Sequence, residues 1–502
     1  MLIGLNIVVA GFLVVSGLSF GWVRYRVAAI PTQVAPDLTP TPTTGGTSPQ
    51  AVQIKKQSSD GLTPENILLI GNETRAGLTN PNQIKQFGSP QQFSGSLSDV
   101  IMILHLDPKK RSASILSIPR DLFVPMPTGS PVGAYNKIDA ALNDGKKGPD
   151  NLVRAITDDL GIPINHYVEV NFDGFEKTVE ALGGIRLDFP ERLYDAYSLL
   201  GISHTGCQLL GGGQALALVR SRHLQYDPPG VSVADRANWP YDPESDLARI
   251  VRDHIFVRVL IKTAETEGLA NPLKLNRFLA ALTDQVTMDP GLRSQIIRLA
   301  LHYRNIAVGN IPETTLPVTQ VGAPAGYDYD GSQMGDVEFP DQPADNKVIA
   351  AWDDTALPIP TKPESVQVLD ATGTGLAART GAGLRADGQH VTLESSTSVL
   401  GTPSETMVRY HPGQLSDGMA VAADFTGAVV LQSDTSVPSR SVRVDVGSVE
   451  SVIVHHPRRP GSSSSPSSTV AHSTTTTVPT PGGQKASSAK DQLTPYDPRP
   501  CG

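Results

Sequence analysis

The sequence predicts an α/β protein: an α-β-α layered domain around a central mixed sheet, plus a small C-terminal α+β domain. Three observations predict it. Between residues 65 and 320, short apolar runs alternate with amphipathic stretches, the order expected of a sheet flanked by helices. Within that order VIMILHLDPKKRSASILSI reads as two strands turning at Asp107–Lys110, a hairpin. From about residue 365 the pattern shifts to short apolar runs split by Gly and Asp.

Residues 1–30 contain an uncharged stretch, Met1–Val23, long enough to cross a bilayer as a helix. The expectation is an uncleaved single-pass anchor in the cell membrane with the catalytic domain extracytoplasmic. Arg24 and Arg26 follow the stretch, on the side where basic residues would mark the cytoplasm. Residues 31–63 are a Pro/Thr-rich linker. The main domain is expected over 64–320. ENILLIG is its first buried strand, followed by the hairpin. PDNLVRAITDDLGI is a helix with Pro149 in its first turn and Gly161 closing it. HYVEVNF is a strand, GFEKTVEALGG a helix, and GGGQALALV a short helix opened by glycines. Residues 321–363 read as an acidic linker. The C-terminal domain is expected over 364–455, with VQVLDAT, HVTLE, AVVLQ and VRVDV as strands and GLAARTGAGLRADG as a helix. Residues 456–502, rich in Ser, Thr and Pro, read as a disordered tail.

The net charge of -9 argues against bulk attraction to nucleic acid, and no nucleic-acid motif is present. The two cysteines, Cys207 and Cys501, form no metal knuckle or redox pair. They are either one disulfide or two unrelated thiols, and sequence separation alone does not decide.

Four basic segments draw attention. Arg220 and Arg222 flank one serine after the GGGQALALV helix. If the chain continues extended there, period two places both guanidiniums on one side, a fork suited to a phosphate or diphosphate. The alternative is a pair of surface ion pairs. In SDLARIVRDHIF, Asp246, Arg249 and Asp253 share a helix face. Arg249 either makes an ordinary i,i+4 pair with Asp253 or joins the phosphate pocket beside Asp246. Arg120, with Asp121, opens a loop at a strand end, a common place for functional residues. Lys137 adds a fourth positive site. Glu73 and Asp99 stand near strand ends and are candidate ligands for Mg²⁺ held against a diphosphate.

Taken in order, NILLIGNETR, LSDVIMILHLDPKKRSASILSIPRDLFVPMP, NKIDAAL, LLGGGQALALVRSRH and DLARIVRD resemble the LytR-CpsA-Psr family. VLDATGTGLAARTGAGLRADG resembles the LytR C-terminal domain. The resemblance implies a phosphotransferase that moves a glycopolymer from a polyprenyl-pyrophosphate carrier to peptidoglycan at the membrane. It implies catalytic roles for Arg120, Arg220, Arg222, Asp246 and Arg249, and Mg²⁺ on Glu73 and Asp99; Lys137 is expected to help these arginines bind the pyrophosphate. Three positions depart from the family pattern: Glu73 replaces an aspartate, Leu97 an arginine, and Asp253 a glutamine. Glu73 and Leu97 favour an alternative, a lipid-binding protein without turnover; a lipid pyrophosphatase is a second, and a transcriptional attenuator, the third, is disfavoured by the acidic charge, the expected span and the lack of a nucleic-acid motif.

Overall fold

The computed structural model describes Trp22, residues 24–36 and 38, 62–72, 98–227 except 128 and 134, 232, 236, 238–242, 246–263, 280, 286–303, 306, 311–321, 326–329, 332–340, 344–354, 361–370, 375–397, 406–447 except 427, 428 and 435, 452–453, and 494–501.

In chain order, β1 (Glu65–Asn72), β2 (Ser98–Asp107) and β3 (Ser112–Ser117) form an antiparallel meander, and β4 (Phe123–Pro125) and β5 (Tyr135–Lys137) a separate ribbon. Helix α1 (Gly148–Leu160) crosses over to β6 (His166–Asn171), which lies parallel to β1. Then follow α2 (Phe172–Leu182), β7 (Ile185–Phe189), β8 (Leu193–Asp195), β9 (Leu200–Ile202), β10 (Gly206–Leu210), α3 (Gly212–Val219) and β11 (Gln225–Tyr226). The domain ends with α4 (Asp246–Thr263), β12 (Val286–Met288), α5 (Pro290–Tyr303) and β13 (Glu313–Thr315). The central sheet runs β12-β6-β1-β2-β3-β13 and mixes parallel with antiparallel pairs.

Strand periodicity makes the layers. Leu68, Ile70, Ile101, Ile103 and Leu116 face one way and pack with Leu152 and Ile156 of α1. Ile67 and Leu106 face the other way and pack with Leu292 and Leu299 of α5. Helix α1 starts with Pro149 in its first turn and stops at Gly161, whose φ of 67° suits a residue without a Cβ. The C-terminal sheet has five strands, in the order 391–397, 365–370, 441–446, 406–410, 429–433. It carries its own core around Val366, Val368, Val408 and Val444. Strand Thr406–Tyr410 and helix Leu415–Ala422 are additions to the elements expected there.

Four expectations are revised. No helix among the described residues is long and apolar enough to cross a membrane, so the single-pass anchor has no support; residues 1–21 and 23 of the expected span lie outside the described ones. The linker read over 31–63 contributes to the core, since Ala35 and Leu62 are buried. The acidic segment 321–363 folds a hairpin (327–335), a strand (337–340) and a helix, Ala344–Trp352, whose Trp352 enters the main core. The tail's end is ordered: Arg499–Pro500 pairs with β7, and Cys207 and Cys501 are joined, with Cα atoms 5.6 Å apart. Polar composition marks segments that cannot build a core of their own. It does not reveal short pieces that complete someone else's sheet.

Candidate functional site

The site lies where β2 begins and β3 ends, at one end of two interior strands of the sheet. Gly71 opposes Val100 and Asn72 opposes Ser98, so Asp99 is the extra residue of a β-bulge. A bulge re-aims a side chain and often sits beside an active site. A Cβ at 71 would lie 3.0 Å from the Val100 Cβ, so a side chain there would press on the bulge.

Around Asp99 the predicted arginines converge. Arg120, just past β3, donates to Asp99 Oδ1. Arg220 Nε lies 3.5 Å from Asp99 Oδ2, and Arg249 Nη1 lies 3.7 Å from Oδ1. A second carboxylate, Asp121, sits beside them. Arg222 donates to its Oδ2 at 2.8 Å, Lys137 to its Oδ1 at 2.7 Å, and Arg120 Nε stands 3.7 Å away. Arg120 therefore links two halves of one cluster. Arg249 joins the cluster and also keeps the i,i+4 pair, since its Nε stands 3.9 Å from Asp253.

The arginine pair reaches the cluster by a different route from the expected extended segment. Helix α3 ends at Val219 as expected, but Arg220 stays in the right-handed helical region and its N–H still donates to Leu216. The next residue turns inward: the Ser221 hydroxyl donates to Asp195 Oδ2 at 2.7 Å, and the His223 N–H donates to the same oxygen. This turn sends Arg220 to Asp99 and Arg222 to Asp121. Arg252, fully buried, donates to the Ser221 carbonyl at 2.8 Å and to Asp242 at 2.9 Å.

The electrostatics follow from burial and from these neighbours. Burial pushes the Asp99 carboxyl up, but Arg249, Arg120, Arg220 and Arg222 outweigh it and hold it below the usual carboxylate range. Asp121 behaves alike, its burial overcome by Arg222, Arg120 and Lys137. Asp139, buried between the same groups, is pushed up to about 7, mainly by burial and only partly countered by Arg120. Among the described residues, five cations thus share this cluster with the carboxylates Asp99, Asp121 and Asp253, and with Asp139 beside them, a dense gathering of positive groups in a chain of net charge -9. Such a basin suits an anion with several charged oxygens.

Arg120, Lys137, Arg220, Arg222, Arg249 and Asp99 are therefore brought together. Asp246 opens α4 one turn before Arg249, and its side chain lies outside the described ones, as do Glu73 and Leu97. Asp139, Asp195, Arg252 and Asp242 escaped sequence reading. Only Asp139 carried a local signal, an acid inside the apolar run IDAAL, all of which is buried.

The family model described as the LytR_cpsA_psr family matches residues 41–339, and that described as LytR cell envelope-related transcriptional attenuator matches 365–449. The chain is similar to "Probable cell wall biosynthesis protein LcpB" of Corynebacterium glutamicum, 30% identical over 271 residues, 53% of this chain and 59% of the relative. It is similar to "Cell wall biosynthesis protein LcpA" of the same organism, 28% identical over 294 residues, 54% of this chain and 52% of the relative. The chain thus spans little more than half the length of these relatives. A teichoic acid transferase of Bacillus subtilis, TagV, is 38% identical over 130 residues, 25% of this chain and 32% of the relative. A solved LytR-Csp2A-Psr enzyme from Actinomyces oris aligns over 64% of this chain and 96% of its own, with 23% identity and a TM-score of 0.44. With its model matched over more than half of the sequence, the chain belongs to the LytR-CpsA-Psr family.

Proposed function

We propose that the arginine basin binds the diphosphate of a polyprenyl-pyrophosphate-linked glycan and transfers the glycan phosphate to a hydroxyl of peptidoglycan, so that the protein acts in cell wall assembly. The observation that carries this reading is the convergence of Arg120, Lys137, Arg220, Arg222 and Arg249 on two carboxylates at one strand end. The printed names of the relatives support it: cell wall biosynthesis for LcpB and LcpA, and polyisoprenyl-teichoic acid–peptidoglycan teichoic acid transferase for TagV.

In this reading the acceptor hydroxyl attacks the phosphorus bearing the glycan. A phosphodiester forms, the P–O–P bond breaks, and polyprenyl phosphate leaves. The guanidiniums stabilise charge developing on the bridging and equatorial oxygens, in a partly desolvated basin where such contacts are strong. Lys137 and Arg222 hold Asp121 ionised, and the incoming diphosphate competes with that carboxylate for both. Asp246 is the candidate to take the acceptor proton. Mg²⁺ is part of the proposal. Asp99 offers hard carboxylate oxygens, and Glu73 follows Asn72, which pairs with Ser98 beside it. When bound, the ion would supply charge neutralisation on the diphosphate.

The test is a transfer assay with a lipid-pyrophosphate-linked glycan, run with and without peptidoglycan acceptor. Acceptor-dependent product is the expected result. Glycan phosphate released into water at equal rate in both arms would mark a pyrophosphatase, and bound but unturned lipid would mark a binding protein.

A further inference from the structure

The chain's last described segment, Thr494–Cys501, docks directly behind the arginine turn. Arg499–Pro500 adds to the edge of β7, whose other edge holds β10 and Cys207. The Cys207–Cys501 bond closes this corner. Tyr496 stacks on Tyr226 with ring centroids 4.1 Å apart, and its hydroxyl donates to Asp242 Oδ1 at 3.2 Å. Asp497 is fully buried and stands 3.5 Å from Arg252 Nη1.

Arg252 is the junction. It has no solvent exposure, so its charge needs partners inside the protein. Asp242 and Asp497 supply them, and the same guanidinium donates to the carbonyl of Ser221, the residue between Arg220 and Arg222. Helix α4 carries Arg252 one turn beyond Arg249, so one helix connects the tail to the basin. The other side of the turn is held by Asp195.

We infer that Asp497, acting through Arg252 on the Ser221 carbonyl, is a positioning residue for Arg220 and Arg222, and that the disulfide keeps it in place. An eight-residue segment makes few contacts of its own. A covalent tether 294 residues along the chain keeps its local concentration high. The inference rests on the diphosphate reading only for its ligand; the positioning itself is a property of the fold.

The experiment uses the full chain and two readouts: hydrogen exchange of residues 218–224 against β1 as internal reference, and affinity for inorganic pyrophosphate. Asp497→Asn should raise exchange at 220–223 by about fivefold with β1 unchanged, because only a local opening is favoured. It should weaken pyrophosphate about tenfold, the loss expected of one charge-assisted contact. Asp497→Glu should recover part of both. Cys207→Ser with Cys501→Ser should reproduce the Asp497→Asn pattern. If Asp497→Asn fails to fold, Tyr496→Phe, which removes the hydroxyl that bonds Asp242, should give a smaller shift of the same kind. Exchange at 220–223 equal to wild type, or rising in parallel with β1, overturns the inference. Wild type that ignores pyrophosphate while exchange still responds to Asp497 overturns the diphosphate reading and leaves the positioning role standing.

Discussion

Asp99 and Asp139 show how one basin holds two carboxylates in opposite states. Asp99 is kept ionised by guanidiniums, so its folded pKa lies below that of the unfolded chain. Its contribution to stability is complete above about pH 4, the ordinary carboxylate value, and is lost as pH falls through its depressed value. Asp99→Asn should therefore flatten the acid limb of the stability curve. At neutral pH it should cost about 3–5 kcal/mol, because it removes the charge that faces the buried Arg249, with Arg120 and Arg220 beside it. Urea unfolding at several pH values checks both. Asp139 has the opposite sign. Held up at about 7, it keeps its proton in the folded chain while the unfolded chain ionises. It therefore makes stability fall as pH rises from about 4 toward 7. Asp139→Asn should remove that slope, read as the difference in urea midpoint between pH 5 and pH 7. An unchanged slope would place the group's titration elsewhere.

At the scale of elements, the bulge at Asp99 and the turn after α3 make the site. Gly71→Ala would push its Cβ against Val100 and shift the bulge. The expected cost is about 1–3 kcal/mol, typical of overpacking. Pyrophosphate affinity should fall further than that loss of stability alone would cause, measured by titration of the folded variant. The meander β1–β3 and helix α1 were legible because period, hairpin turn, Pro149 and Gly161 all agree. The turn at Arg220–Arg222 was legible in its residues but not in its path. The pull on Ser221 comes from Asp195, on a strand with no motif to announce it. Likewise the partners of Arg252 come from residues 242 and 497, too distant in sequence for any local pattern.

The whole molecule is an acidic chain that gathers five cationic side chains at one strand end. Pyrophosphate binding should weaken several-fold between about 0.05 and 0.5 M salt, since screening shortens the reach of the basin's field. A salt-independent affinity would contradict an electrostatic site. The C-terminal sheet packs on the ribbon that supplies Lys137: Gln432 accepts from the Tyr135 hydroxyl at 2.8 Å, and the Arg409 guanidinium lies 5.4 Å from that ring's centroid. The resemblance named both modules, but their contact was not legible, because no sequence period reports a surface shared between domains. The diphosphate site is tested by calorimetric titration of the full chain with a polyprenyl pyrophosphate, comparing wild type with Arg220→Ala and Arg222→Ala. Both arginines are partly exposed, so each variant should fold. Each substitution should cost about 2–5 kcal/mol of binding, as expected for one partner lost from a close charge pair, with unfolding midpoints near wild type. Affinity equal to wild type in both variants would contradict it and return the two arginines to the role of ion-pair partners for Asp99 and Asp121.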